Sequence, residues 1–400
     1  MKLRRQYDIV VVGGGPAGSY TAKVAAERGV SVLVVEKDRE IGFPVRCAEG
    51  VSASGIHEFF HDVDSRWEAN QVDGYTLCSP DGNRVDVVID DFGYVLNRRL
   101  FDRDLAKMAS DAGAQVVTKT MAVGLSYENH MVRAFLDCPD GRTEVEAQLI
   151  VGADGLESRV GRWAGLRTWC RPHDMEICAQ YTMTHLEIDP TRCEMHFGSK
   201  TAPGGYLWIF PKGEGVANVG LGISGDYSEE HTPFDYLDRF VEHRFSKASI
   251  LNAVSGGVPC SGGVRNIVTD RVMLVGDAGH QANPMSGGGI NNALRAASIA
   301  GRVAAEAVLE GDTSAQRLRP YEREWRKRYG NGHRGYYRLK ETALGLSDEV
   351  LNASAEAANR LDPEERTLPR ILRIAMFNYP RLLIDIARLF LARSFRLADE

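Results

Sequence analysis

Between Tyr7 and Val12 the chain is an apolar, β-branched run with Asp8 as its only polar residue, the pattern of a parallel strand covered on both faces. "GGGPAG" follows, then the helix-forming "SYTAKVAAERG" closed by a glycine, then a second apolar run, "VSVLVVEK". This succession predicts a β-α-β unit of about thirty residues. Residues 97–113 read as a further helix closed by glycine, residues 114–129 as a strand, and 131–137 with 143–151 as a hairpin around "CPDGR". Residues 72–95 and about 176–224 change character. Their short alternating runs ("CEMHFGS", "GGYLWIFPK", "GVANVGLGIS"), separated by turn residues, predict a mostly antiparallel sheet inserted into the first domain. From 291 onward the pattern is helical to the end, and no internal repeat or low-complexity linker interrupts it.

Composition narrows the classes. With 400 residues, 44% of them apolar and 26% charged, the chain has the make-up of an ordinary globular protein large enough for two or three domains. A formal charge of −6 gives no general attraction to polyanions, and no nucleic-acid motif is present, so a nucleic-acid partner is not expected. Seven scattered cysteines, none in a C-x-x-C pair, argue against a disulfide framework and a structural zinc site, and fit a reducing, cytoplasmic setting. No metal is expected. The apolar run after "MKLRRQ" is too short for a signal peptide, and no stretch approaches the roughly 18 apolar residues of a membrane span.

Three glycine-rich segments carry the candidate chemistry. Gly13, Gly15 and Gly18 form G-x-G-x-x-G between a strand and a helix. The first glycine permits the tight turn, the second lets a pyrophosphate approach the backbone, and the third lets helix and strand pack closely. The helix N-terminus offers free N–H groups to the phosphates, and Glu36, ending the second strand, is placed to accept from a ribose diol. An adenine dinucleotide is the expected ligand. The second segment, 149–166, leads a strand into Asp154-Gly155; in the third, 270–294, a strand ends at Gly276-Asp277 before a proline and three glycines open a helix near Ile290. An acid at a strand end suits a ribityl or ribose hydroxyl, and bare glycine backbone can lie against a ring edge.

In this order and spacing the three segments resemble the FAD-dependent group that includes aromatic hydroxylases and geranylgeranyl reductases. The resemblance implies contact of Asp277 with the ribityl chain of FAD and of Gly289 and Ile290 with its ring, with Gly288 also binding the cofactor. It also places Ala17, Lys37, Arg46, Ala48, Gly50, Ala122, Asp154 and Gly276 around the cofactor. Arg98, in "YVLNRRLFD", matches an arginine used near the flavin; read from its position alone, it is equally a solvated charge at a helix start. "PVRCAEGVS" (44–52) and "YLWIFPKGEGVANVG" (206–220) are similar to the signatures of geranylgeranyl reductases, especially the archaeal enzymes that saturate digeranylgeranylglycerophospholipids. This likeness spans essentially the whole chain, with Ala48 standing where some relatives carry glycine.

The fold class so implied is α/β: an FAD-binding Rossmann-like domain of the glutathione-reductase and aromatic-hydroxylase type, an inserted antiparallel-sheet substrate domain and a helical C-terminus. The expected bounds are 1–70, 96–165 and 266–320 for the first, 71–95 and 166–265 for the second, and 321–400 for the third. The implied activity is saturation of isoprenoid C=C bonds of a geranylgeranyl lipid, with FAD as cofactor and electrons from NAD(P)H, ferredoxin or another low-potential carrier. Tyr206, Trp208 and Phe210 alternate along one strand and so share a face; with Pro211 they either line a substrate channel or form the core side of a sheet. Six arginines against one aspartate in 368–397, amid helically spaced apolar residues, suit either a helix packed on the body or a peripheral contact with the cytoplasmic face of a membrane. Two other functions stay open at this level, an aromatic monooxygenase and a non-catalytic prenyl-binding protein. Cys47, in the loop after Glu36, is expected beside the flavin as a catalytic or lining residue, although a thiol with an ordinary pKa of about 8.5 is a weak acid for protonating an alkene.

Overall fold

The structure, a computed structural model, describes residues 3–128, 130–367, 370, 371 and 373–375. These residues build two eight-stranded sheets. The first contains β1 (Gln6–Val12), β2 (Val32–Val35), β6 (Gln115–Val117), β7 (Met121–Glu128), β8 (Met131–Cys138), β9 (Gly141–Gly152), β15 (Val268–Thr269) and β16 (Val272–Leu274). Its strand order is β15-β16-β9-β1-β2-β6, parallel from β16 to β6. β9 also pairs β8, which pairs β7, in an antiparallel meander. Val10, Val11, Leu33, Val34, Ile150 and Val151 are all buried, which is why these strands read as continuous apolar runs rather than alternating ones.

Residues 114–129 do not form one strand. The chain turns between β6 and β7, where Lys119 adopts φ 51° and the N–H groups of Lys119 and Thr120 donate to Asp38 O and Glu36 O at 2.9 and 2.8 Å. The parallel sheet thus ends at β6, and the antiparallel meander begins beyond it.

The helices are α1 (Pro16–Ala26), α2 (Ala53–His57), α3 (Arg98–Asp111), α4 (Arg159–Trp163), α5 (Pro233–Arg244), α6 (Ile290–Leu309), α7 (Ala315–Trp325), α8 (Asn331–Ala343) and α9 (Asp348–Asn359). α1 packs on α3 and α6. The approach of α6 is close because Gly301 presents no side chain: a Cβ there would lie 2.7 Å from Thr21 O and 2.8 Å from Val24 Cβ.

The second sheet contains β3 (Gly50–Ser52), β4 (Glu68–Cys78), β5 (Arg84–Leu96), β10 (Met175–Thr184), β11 (Arg192–His196), β12 (Tyr206–Pro211), β13 (Ala217–Ser224) and β14 (Ser249–Pro259), in the order β14-β10-β13-β12-β11-β4-β5-β3. The β11–β4 pairing is parallel and the other six are antiparallel. β3, β14 and α5 are elements that the alternating pattern did not announce. β3 is only three residues long, and much of β14 is exposed. One face of β10, β12 and β13 carries Ala179, Tyr181, Met183, Leu207, Ile209, Val219 and Leu221 and buries them against Leu237, Phe240 and Val241 of α5. The other face looks towards the loop before β3.

No helix among the described residues is long and apolar enough to cross a membrane. Most of the basic stretch 368–397 lies outside the described residues. Its first turn is placed, with Ile371 and Ile374 packed against Val85 and Val87 of β5 and Ala355 and Ala358 of α9.

Gly301→Val overpacks the α1–α6 contact. The substitution is expected to lower stability by about 1–3 kcal/mol in urea unfolding, with no change in any residue of the site below.

Candidate functional site

The three glycine-rich segments meet at the carboxyl ends of the parallel strands, where ligands of open α/β sheets bind. Gly13, at φ 108°, lies so close to Ala153 that a Cβ would collide with Ala153 O, and a Cβ on Gly18 would collide with Gly13 O. Gly276, at φ 69°, rests on α1, its Cβ position 2.8 Å from Ala17 Cβ. Gly15 is the N-cap of α1, and a Cβ there would meet nothing within 4 Å. Backbone contact therefore requires glycine at 13 and 18, while 15 faces open space at a helix N-terminus, the position a diphosphate needs.

Glu36 is fixed by the same turn. Its Oε2 accepts from Gly14 N–H at 2.8 Å and its Oε1 from Asp38 N–H at 2.9 Å, leaving further lone pairs for a diol. Lys37 points outward to Glu157 at 3.6 Å, and Ala122 is buried in β7, two residues past Thr120.

Asp154 Oδ2 accepts from Val160 N–H at 2.9 Å, at the start of α4, while its Oδ1 is buried without a partner among the described residues. Burial pushes this carboxyl above the usual range. The orphaned oxygen fits a ligand hydroxyl, because an unpaired buried acceptor is otherwise costly. Burial likewise raises Asp277, with the Arg98 guanidinium opposing it. Asp277 keeps one side accessible although protein surrounds it, as on the floor of a cleft. Its Oδ1 lies 3.4 Å from where a Cβ of Gly289 would be, and Gly289 is the N-cap of the twenty-residue α6 that begins at Ile290. Gly287 and Gly288 belong to a turn closed by Asn283, whose N–H and C=O bond Gly288 O and Gly287 N–H at 2.8 Å each. These residues fit a flavin dinucleotide: an open helix N-terminus, an acid at the second strand, two further acids and a side-chain-free backbone edge.

The loop holding Cys47 opens with a cis peptide between Phe43 and Pro44 and is suspended from the second sheet. Gln180 Nε2 donates to Cys47 O at 3.0 Å, and Asn218 Nδ2 donates to Ala48 O at 3.2 Å and to Glu49 Oε2 at 2.7 Å. Lys212 forms a close ion pair with Glu49, and Glu49 Oε1 accepts from Arg98 N–H at 2.9 Å. Cys47 Sγ accepts from Glu49 N–H at 3.2 Å. Arg98 is not a solvated charge. Its side chain is 16% exposed and paired with Asp102 at 2.6 Å; burial opposes its charge, but Asp102 and the neighbouring Cys47 sulfur hold the guanidinium above its ordinary pKa. Arg46 is exposed and packs along Gly256 of β14.

Tyr206, Trp208 and Phe210 share the loop-facing side of the second sheet. Trp208 Nε1 donates to Gln180 Oε1 at 3.0 Å, the Tyr206 hydroxyl donates to Ser286 O at 2.5 Å, and Phe210 packs over Gly50. The core side of the strand is carried by Leu207 and Ile209. Pro211, opposite Ala217, falls with them by alternation and is not brought to the other three. Gly220 and Gly222 make room for this face: a Cβ would lie 2.7 Å from Trp208 Cζ2 at the first and 3.2 Å from Cys178 Sγ at the second. A cavity of about 430 Å³ lined by Gln6, His130, Gln148 and Arg271 lies at the amino ends of the parallel strands, away from all of these groups.

Sequence reasoning passed over Glu49, Gln180, Lys212 and Asn218. Period-two registration of "EICAQYT" and "GVANVG" with "YLWIF" would have put Gln180 and Asn218 on the face of Trp208. Nothing local marks Glu49 as buried.

The convergent glycine turns, the acids behind them and the sheet laid over them define a flavin-dependent oxidoreductase fold, and the family model for an FAD binding domain matches residues 6–199 and 261–331. The model for a geranylgeranyl reductase catalytic domain matches residues 174–258, which include β10 to β13 and β14 up to its last residue. The chain is 45% identical to digeranylgeranylglycerophospholipid reductase of Methanothrix thermoacetophila over 96% of its own length and 99% of the relative's, and 42% identical to that of Methanocella arvoryzae over 97% and 100%. Among solved structures, a geranylgeranyl bacteriochlorophyll reductase-like protein from Thermoplasma acidophilum superposes with a TM-score of 0.90 at 36% identity, covering 96% of this chain and 99% of that one. The chain belongs to the geranylgeranyl reductase family of FAD-binding proteins.

Glu49→Ala leaves the Lys212 ammonium without its carboxylate in a mostly buried position. The loss expected is about 3 kcal/mol in denaturant unfolding, and adding Lys212→Met recovers much of it, the mark of a direct pair in a double-mutant cycle.

Proposed function

We propose that this protein saturates the isolated C=C bonds of geranylgeranyl chains carried on a glycerophospholipid, the substrate named for its relatives. The observation that carries the reading is the convergence of two sheets: Cys47, Ala48 and Glu49 hang from Gln180 and Asn218 on the face that bears Tyr206, Trp208 and Phe210, and from that face the Tyr206 hydroxyl reaches Ser286 O beside the 287–289 glycine turn. FAD, held by Gly13, Gly15, Gly18, Glu36, Asp154, Asp277 and the 287–290 backbone, supplies hydride when reduced. A trisubstituted alkene has no carbonyl to take up negative charge, so its reduction needs a proton at the less substituted carbon and stabilisation of positive charge at the other. The Tyr206 and Trp208 rings, with centroids 5.9 Å apart, present faces for that charge, and the apolar wall excludes water that would capture it. Arg98, pinned by Asp102, sets the charge beside Cys47 and opposite Asp277.

In this reading Cys47 lines the site and touches the flavin edge. The first sheet with α1 and α6 forms the cofactor part, and β4 to β5 with β10 to β14 form the substrate part. Electrons come from an external low-potential carrier, NAD(P)H or a ferredoxin, and the basic segment 368–397 brings the protein to the lipid surface.

Incubated without oxygen with reduced flavin and digeranylgeranylglycerophospholipid, the protein should yield a mass series rising by two hydrogens per double bond saturated. Absence of that series, together with hydroxylation of an aromatic substrate in air, would overturn the reading. Cys47→Ala and Cys47→Ser are expected to retain turnover within about tenfold, since removing a contact costs less than removing a general acid, which costs about 10²–10⁴.

A further inference from the structure

The reaction proposed above requires a proton donor, and neither the glycine turns nor Cys47 provides a suitable one. β10 carries Glu176, Cys178 and Gln180 at alternate positions, so all three face the side from which Gln180 reaches Cys47 O. Glu176 Oε2 is buried and has no hydrogen-bond partner among the described residues. It lies above two glycines: Cβ atoms on Gly205 and Gly222 would be 2.9 and 3.6 Å from it. Those glycines flank Tyr206, whose hydroxyl is tied to Ser286 next to the 287–289 backbone. A carboxyl oxygen is therefore left unpaired on the same face as the aromatic rings.

We propose that Glu176 is the general acid that protonates the isoprenoid double bond. This rests on the reductase reading above. The proton leaves Glu176 Oε2 for the less substituted alkene carbon; a C–H bond forms as the π bond breaks. Reduced flavin, when bound, would supply the hydride and its two electrons to the tertiary carbon, and the carboxylate left behind regains its proton from water.

The charged and titratable groups around Glu176 come from five places. Lys340 of α8 and His173 before β10 lower its pKa, while Cys178, Cys260 and Tyr206 adjoin it. Lys340 is committed elsewhere, donating to Cys260 O at 2.9 Å and His173 O at 3.3 Å. Burial outweighs both cations and pushes the Glu176 carboxyl up to about 7. Burial also raises the thiols of Cys178 and Cys260 and the Tyr206 phenol, which makes them poorer acids. His173 also titrates near neutrality, but its ring is half-exposed and bonded to Asp226 and Glu341 at 2.9 Å each. Among the acids on the aromatic face, Glu176, Cys178 and Tyr206, Glu176 alone both holds a proton and releases it near neutrality, the condition for an efficient acid.

FAD-loaded wild-type protein, Glu176→Gln and Glu176→Asp are compared by anaerobic single turnover of reduced flavin with dispersed digeranylgeranylglycerophospholipid, across pH 5–9. Glu176→Gln should bind FAD and lipid as wild type does, yet turn over at least about 100-fold more slowly. The wild-type rate should fall about tenfold per pH unit above the carboxyl's pKa, Glu176→Asp should keep that dependence at a reduced rate, and Glu176→Gln should lose it. Thermal unfolding is a readout independent of turnover. A carboxyl whose pKa is raised on folding weakens the native state as pH climbs from the unfolded value, about 4.5, to the folded one. Melting of Glu176→Gln relative to wild type should therefore rise between pH 5 and pH 8. Glu176→Gln turnover within about threefold of wild type with the same pH profile overturns the assignment of the acid while leaving the function intact. A wild-type protein that binds FAD and lipid but saturates nothing overturns the function and the assignment together.

Discussion

One buried carboxylate joins the two halves of this molecule. Glu49 sits at φ 75°, a left-handed conformation that costs a non-glycine residue on the order of 1–3 kcal/mol, and its surroundings over-determine it. Its main chain pairs with Leu96, its carboxylate takes Lys212, Asn218 and the first N–H of α3, and its own N–H reaches the Cys47 sulfur. Without this anchor the loop before β3 would not hold its place between α3 and the second sheet. Arg98 would also lose the partner that orients the start of α3.

Around that anchor the second sheet separates its two faces by the simplest device available, the alternation of side chains along a strand. Leu207, Ile209, Val219 and Leu221 go to α5, while Gln180, Tyr206, Trp208 and Asn218 go to the loop. Glycines at 205, 220 and 222 then supply the depth that lets Trp208 and Glu176 lie down on the sheet. The same economy governs the first sheet, where Gly13 and Gly18 let backbone touch backbone and Gly15 leaves the helix N-terminus bare. Room is made in both places by omitting side chains, and its use differs: an open helix N-terminus in the first, an aromatic wall with a buried carboxyl in the second.

The glycine fingerprint, its flanking strands and Glu36 were legible because each depends on residues within about thirty positions of one another, and the physics of a tight turn and a helix N-terminus is local. The common face of Tyr206, Trp208 and Phe210 was legible for the same reason. Pro211 was grouped with them by adjacency, but the strand period puts it on the other side. The break at Lys119 was missed because "VVTKTM" has strand composition throughout; the bend is imposed by the backbone of Glu36 and Asp38, eighty residues earlier.

By itself, then, the sequence determined the elements whose causes are short-range: buried strands, glycine turns, helix starts and the alternation that sorts one strand's faces. Tertiary structure alone decided which charges are buried. Arg98 reads as a helix-start cation and Glu49 as a loop acid; Asp102 is one helical turn from Arg98, but only long-range contacts with Cys47, Lys212 and Asn218 make these charges a paired interior network. Glu176 is a further instance, a strand glutamate whose unpaired oxygen appears only when β10, β12 and β13 align. Burial and hydrogen-bond satisfaction are properties of surroundings assembled from distant parts of the chain, and a carboxylate's chemistry follows from them.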